Sequence, residues 1–307
     1  MRKQKKGFLQ EVAPHWQLYV CLFLPILYLL IFRYYPMLGV QIAFKRFTIR
    51  GGIWNSPWIG FSNFYNFFTS YQFGRVLPNT LRISLYQLIA GFPVPVILAL
   101  CFNVIRRARI KKIIQTITYI PHFISTVVLV GMLLQLMNAH VGLYGMLYKI
   151  IAGQVGPDLL GRPKVFPHLY VWSGIWQSAG WGTIIYMAAL SAVDPELLEA
   201  AQIDGASRFK RVINIDLPAI LPTISIMLIL QAGRLMDVGF EKVYLMQNSL
   251  NLSTSEVIST YVYKVGLTGG SDFAYGAAIG LFNSVINFTL LLIVNKITRY
   301  LSESSLW

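Results

Sequence analysis

Glu199-Ala200-Ala201-Gln202-Ile203-Asp204-Gly205, followed after nine residues by Ile215-Asp216-Leu217-Pro218, forms a polar island between two long apolar stretches. Just upstream, Asp194-Pro195 suits a helix start: aspartate accepts from the free N–H groups of the first turn, and proline's fixed φ fits the first helical position. Leu197, Leu198, Ala201 and Ile203 give this short helix an apolar side. Ala200 and Ala201 keep its surface low, and Glu199 supplies a charge for a specific contact. Gly205 then permits a sharp change of direction. A second amphipathic helix is expected to carry Phe209, Val212, Ile213 and Ile215 on its apolar stripe and Arg208, Lys210 and Arg211 on its wet side. Leu217-Pro218 is expected to end that helix and launch the next apolar run. Two short helices hinged at a glycine are a surface for another protein to grip. Amphipathicity alone would equally suit an ordinary interfacial helix.

Outward from this island the chain is oily. Of its 307 residues 55% are hydrophobic and 12% charged, and the mean hydropathy is +0.57. Soluble domains carry about twice that charged fraction. The net charge of +14 sits in short basic blocks between apolar runs, which suits the positive-inside rule and argues against a nucleic-acid partner. The two cysteines, Cys21 and Cys101, each lie within an apolar run and read as small buried hydrophobes with no structural disulfide. The basic N-terminus and the apolar run after it, ending in Arg33-Tyr34-Tyr35-Pro36 without a small-residue cleavage site, read as a retained signal-anchor.

A helix crosses a bilayer with about 20 largely apolar residues. Six stretches qualify, at about 17–43, 78–104, 113–137, 168–192, 218–237 and 274–296, predicting an all-α polytopic membrane protein with the polar island between spans four and five. Ser173, Gly174, Gln177, Ser178, Gly180 and Gly182 dilute the fourth, and their small size points to an interior helix that lets neighbours approach closely. The N-terminal tail holds four Lys and Arg residues, Arg106–Lys112 five, the 193–217 loop three and the C-terminal end two. These fourteen of 26 fall on one side, which the positive-inside rule makes cytoplasmic, with both termini. The longer loops, about 44–77, 138–167 and 238–273, then face outward and are rich in Trp, Tyr, Phe, Gly and Pro.

The chain has no G-x-x-x-x-G-K-[ST], no C-x-x-C and no H-E-x-x-H, so neither a nucleotide-hydrolysing domain nor a metal centre is expected. His15, His122, His140 and His168 lack metal-ligand spacing.

The sequence Glu-Ala-Ala, three residues, Gly, nine residues, Ile-x-Leu-Pro, before the penultimate span, resembles the ATPase-docking loop of ABC-importer permeases. The chain is similar to permease subunits of type I sugar importers, the binding-protein-dependent inner-membrane component family. Trp58-Ile59-Gly60-Phe61-Ser62-Asn63-Phe64, Tyr119-Ile120-Pro121-His122-Phe123-Ile124-Ser125, Ser173-Gly174-Ile175-Trp176-Gln177, Gly239-Phe240-Glu241-Lys242-Val243 and Ser304-Ser305-Leu306-Trp307 resemble the branch importing polysaccharide-derived oligosaccharides. The resemblance implies a permease core over 77–296, preceded by a tail, first helix and external loop over 1–76 and followed by a cytoplasmic tail over 297–307. It also implies a second permease, two cytoplasmic ATPases that bind the ATP, an external solute-binding protein and a bacterial inner-membrane location. The loop residues so implied for coupling are Glu199, Ala200, Ala201, Asp204, Gly205, Ile215, Leu217 and Pro218. The permease itself would hold no cofactor.

Candidate sugar contacts are polar or aromatic residues within spans, where such groups are costly and often functional. Arg234, Asp237 and Glu241 follow at helical steps of three and four and are expected to share a face, an arginine there suiting an acidic sugar. Asn283 and Asn287 lie four apart in the sixth span, and Trp176, Gln177 and Trp181 offer stacking faces and an amide in the fourth. Each set has a structural alternative: an ion-pair network, amides joining helices, and interfacial tryptophans. Two other functions compete with a transport subunit. A membrane-embedded glycan-modifying enzyme needs clustered intramembrane Asp, Glu or His, and a self-contained secondary transporter needs a mid-span acid and paired repeats; neither pattern is present.

Overall fold

The computed structural model describes residue 14 and residues 16–270 and 272–302. The basic N-terminal tail, His15 and the Ser304–Trp307 stretch lie outside the described residues. Among the described residues the chain is helical, with one isolated bridge between Lys45 and Trp58.

Helix α1 runs over Trp16–Phe44, with a π turn at Leu30–Tyr34 and a 3-10 end. Its residues are exposed from Trp16 to Leu38, burial begins at Gly39 and is complete at Ala43, and its end packs against the last helix. Helix α2 (Ser62–Thr69) packs on that last helix too. Asn63 ties α2 to the end of α1, its Nδ2 donating to the Ala43 carbonyl at 2.8 Å. Helix α3 (Phe73–Val104) is apolar and long enough to span.

The third expected span, 113–137, is not one straight helix. Helix α4 (Ala108–Phe123) meets α5 (Thr126–Leu136) at a bend of 98°. The break is chemical: Pro121 lacks an amide hydrogen, Ile124 is extended, and Ser125 accepts from the Val128 N–H to begin a fresh helix. The short apolar helix α6 (Leu143–Ala152) follows.

Helix α7 (Phe166–Ser191) is the expected fourth span and sits in the interior. It packs most extensively along the Pro93–Val104 half of α3, and also touches α4 and the helix over Leu217–Ala232. Its glycines explain the fit. A Cβ at Gly180 would collide with the Thr118 carbonyl oxygen, and one at Gly182 would lie 3.1 Å from the Pro95 ring. Small residues thus bring backbones together where apolar surface alone gives little drive in lipid.

Beyond the polar island, made by α8 (Pro195–Ile203), comes α9 (Arg208–Ala232). Two short helices, α10 (Phe240–Met246) and α11 (Ile258–Tyr263), precede the terminal α12 (Phe273–Ser302). Among the described residues four helices (α1, α3, α9 and α12) are long and apolar enough to cross a membrane, and the bent α4–α5 pair makes up to five. The six-span expectation adds α7, which is 26 residues long but diluted by its small polar residues.

Three apolar clusters hold the bundle. One joins Ile83 of α3, Val130 of α5, Tyr170 of α7 and Val243 of α10. A second joins Phe67, Val76, Tyr261 and Ile279, and the third joins Ala99, Tyr186 and Ile220. Large apolar side chains such as Leu24, Ile89, Ile97 and Ile293 point outward, as a lipid-facing surface requires. Cys21 and Cys101 are free but exposed on that surface, not buried as expected: every residue of Trp16–Leu29 around Cys21 faces outward, and in the run around Cys101 it is Val96, Ala99 and Phe102 that are buried.

Candidate functional site

Two features stand out, a loop at one end of α9 and a cavity at the other. In the loop, Asp194 Oδ1 accepts from the Glu196 N–H at 2.9 Å and caps α8 as its sequence predicts. The helix closes at Gly205, whose φ of +69° is the left-handed conformation that suits glycine, with the Ala206 N–H returning to the Ala201 carbonyl at 2.9 Å. Ser207 caps the next helix by accepting from the Lys210 N–H at 3.3 Å. Glu199, Ala200, Asp204 and Gly205 are exposed, while Ala201, Ile215 and Leu217 are half-buried. Ile203 (86% exposed) and Phe209 (72% exposed) present apolar side chains that touch little of this chain, a surface suited to a partner.

Two expectations for the loop are corrected. Leu217-Pro218 does not end a second short helix; α9 runs unbroken from Arg208 to Ala232. A π turn over Val212–Asp216, in which the Leu217 N–H reaches the Val212 carbonyl five residues back, widens the helix just before Pro218, which cannot donate to its preceding turn. Arg211 is also not on the wet side. Its Nε lies 3.4 Å from Asp216 Oδ2, and the Asp216 carboxylate is fully buried.

A cavity of about 700 Å³ opens between α3, α7, α9 and the chain entering α10. Gln177, Trp181, Arg234 and Asp237 line it, as do Gln87, Gln231 and Lys242. Amides and charges alternate there with Leu88, Ile175, Met227 and Leu230, a mixture suited to hydroxyls and to the CH faces of a sugar. Trp181 stacks in parallel on His122, with centroids 4.7 Å apart. Gln177 also has a structural duty: its Nε2 donates at 2.7 Å to the Ile124 carbonyl freed by the α4–α5 break.

The remaining predicted residues do not line the cavity. Trp176 points outward on the other side of α7. Arg234, Asp237 and Glu241 do not share one helical face, because α9 ends at Ala232. Gly233 comes so close to α12 that a Cβ would lie 2.6 Å from Leu291 Cδ1, and the chain then leaves the helix until Phe240. Glu241 is exposed on α10, and among the described residues none of the three forms an ion pair with another. Asn283 and Asn287 instead both donate to Asp237 Oδ1, at 3.1 and 2.9 Å, and Asn287 Oδ1 accepts from the Met236 N–H at 2.8 Å. The two amides fix the chain at the end of α9 and hold Asp237 at the cavity wall.

Lys242 is the residue that sequence reasoning missed. Burial lowers its pKa from 10.5 to about 8. Its neighbour Glu241 satisfied the assumed helical step, and only the break at Gly233 exchanges their places.

The profile of the binding-protein-dependent transport system inner membrane component family matches residues 91–299, which include the loop and most of the cavity wall. The chain belongs to this family. As one of its transport components it is a membrane protein and not an enzyme. Protein LplB of Bacillus subtilis (strain 168) is 42% identical over 290 residues, covering 94% of this chain and 91% of LplB. The polygalacturonan/rhamnogalacturonan transport system permease protein YteP of the same organism is 38% identical over 306 residues, covering 100% of this chain and 95% of YteP. A chain in the solved structure of a bacterial alginate ABC transporter, in complex with alginate pentasaccharide-bound periplasmic protein, superposes with a TM-score of 0.89. The two are 35% identical over 98% of this chain and 100% of that one.

Proposed function

We propose that this inner-membrane component is a permease subunit of an ATP-driven importer of oligosaccharides cut from acidic polysaccharides. One observation carries the reading: α9 is a single rod joining the exposed loop at Arg208 to the cavity beside Arg234. At 1.5 Å per residue it is about 37 Å long, close to a membrane's thickness. A push on Glu199, Ala200, Ala201, Asp204 and Gly205 crosses the capped turn at Gly205 and Ser207 and is then carried along one helix through Ile215, Leu217 and Pro218 to the cavity wall.

In this reading six spans place both termini and the 193–218 loop in the cytoplasm, in keeping with the basic residues there. Residues 77–296 form the pathway core. A second permease completes the pathway, two ATPases bind the ATP and grip the coupling loops, and an external binding protein delivers the sugar. ATP binding closes the ATPases, and the loops convert that closure into a shift between inward- and outward-open packings. The named substrates of YteP and of the alginate transporter support the acidic class, since galacturonate and alginate units carry carboxylates. Gln177, Trp181, Arg234 and Asp237 face the sugar, while Asn283 and Asn287 act by holding Asp237.

The test is uptake of labelled trigalacturonate by proteoliposomes containing both permeases and the ATPases. Accumulation that requires ATP and the binding protein is expected. Accumulation by this chain alone, driven by an ion gradient, would overturn the proposal in favour of a self-contained transporter.

A further inference from the structure

A buried ammonium needs acceptors, and two lysines are buried in the segments read as external. Lys45 is satisfied by its own surroundings: its Nζ donates to the Ile53 carbonyl at 2.7 Å and the Trp54 carbonyl at 3.3 Å and lies 4.7 Å from the Trp58 ring centroid. Lys242 differs. Its Nζ has one acceptor among the described residues, the Tyr170 carbonyl at 2.9 Å, and stands 4.9 Å from the Tyr170 ring centroid. No carboxylate of the described residues lies within salt-bridge distance.

An ammonium carries three donors, so two are left to the cavity that Lys242 lines. Gly174 of α7 keeps the space, because a Cβ there would lie 3.1 Å from Nζ. A glycine inside a helix costs about 1 kcal/mol relative to alanine, and here the missing side chain lets the ammonium reach the wall. Two other charges face the cavity. Arg234 is exposed, and Asp237 has one oxygen engaged by two amides. An exposed cation steers an anion, whereas a buried one discriminates, because a ligand without a matching charge displaces water and leaves the ammonium unpaired.

We propose that the Lys242 ammonium is the specificity-determining contact for uronate units, pairing with a sugar carboxylate at the cavity wall between α7 and α10. The assignment rests on the cavity's being the sugar path. Gly174 is the positioning residue, acting through Lys242.

The test is direct binding of trigalacturonate and of its fully methyl-esterified form to the solubilised complex of both permeases and the ATPases, without the binding protein. The wild-type complex is expected to bind the free acid about tenfold more tightly than the ester, the scale of one charge-assisted hydrogen bond. Lys242→Gln should bring the two affinities within about twofold, chiefly by weakening the acid. Gly174→Ala, which displaces Nζ while keeping the charge, should narrow the gap in the same direction and serves if Lys242→Gln does not fold. Retention of the full preference by either folded variant, or an equal loss for acid and ester, overturns the assignment alone. Absence of any preference in the wild type overturns the acidic-cargo reading and the assignment with it.

Discussion

Arg211 Nε sits 3.4 Å from Asp216 Oδ2, and the carboxylate it faces is fully buried at the root of α9. The pair spans the π turn at Val212–Asp216, where the helix would otherwise be weakest. Both Asp216 oxygens lack a hydrogen bond within the described residues, so Arg211 is what compensates the buried charge. Removing the cation strands that charge, at a cost of about 3–5 kcal/mol. Arg211→Met should therefore lower the unfolding temperature of the purified complex more than Asp216→Asn does, since a freed arginine can extend into water. The double variant should recover most of the loss. Equal effects of the two single changes would show that the pair does not stabilise the root.

A second ion pair closes the opposite end. Glu256, buried between α3 and α11, meets the Arg75 guanidinium and, at 3.6 Å, the exposed Lys264. Asn79 Nδ2 donates to the Glu256 carbonyl at 3.0 Å and reinforces the same junction. Exposed pairs contribute about 0–1 kcal/mol, whereas breaking a buried one costs about 3–5 kcal/mol. Lys264→Ala should leave the thermal midpoint almost unchanged, and Arg75→Ala should lower it by several degrees. A reversed order in a melting series would contradict the burial argument.

Sugar binding should depend on pH through Lys242. Desolvation lowers its pKa to about 8, so the ammonium is present below pH 8 and lost above it. Uronate carboxyls titrate several units lower and remain anionic throughout. Affinity for trigalacturonate should thus fall as pH rises from 7 to 9.5, while affinity for the methyl ester stays level over times too short for its hydrolysis. Lys242→Arg, whose guanidinium stays charged, should flatten the profile. A wild-type profile that is flat across this range would contradict the prediction.

The glycines of α7 make a stability prediction. Gly180→Val puts a branched side chain where even a Cβ meets the Thr118 backbone, so it should separate α7 from α4 and reduce the yield of assembled complex severely. Gly131→Ala, where a Cβ meets nothing, should be tolerated. Gel filtration of the solubilised complexes distinguishes the two.

Much of this was legible because it depends on local chemistry. Asp194 caps α8, Gly205 adopts a positive φ, and the small residues of the fourth span make close contacts, each as its residue type dictates. Other features depend on distant partners. The continuity of α9 through Leu217-Pro218 rests on a π turn and a buried pair that amphipathic periodicity does not reveal. α9 ends at Ala232, where Gly233 comes close to Leu291, far away in sequence, and beyond that break Lys242, not Glu241, reaches the cavity. Likewise, α4 and α5 read as one apolar span because hydropathy does not register the direction of a backbone after Pro121.

The central claim is that the 193–218 loop drives the cavity through α9. Its most direct measurement is ATP-dependent uptake of trigalacturonate, with ATP hydrolysis, by proteoliposomes carrying Gly205→Pro or Glu199→Arg. Proline cannot adopt the φ of +69° at Gly205, and arginine reverses the charge on the exposed face of α8. Both variants should insert in the membrane, yet uptake and its stimulation of hydrolysis should fall by tenfold or more. Uptake at the wild-type rate, with normal co-purification of the ATPases, would contradict the account.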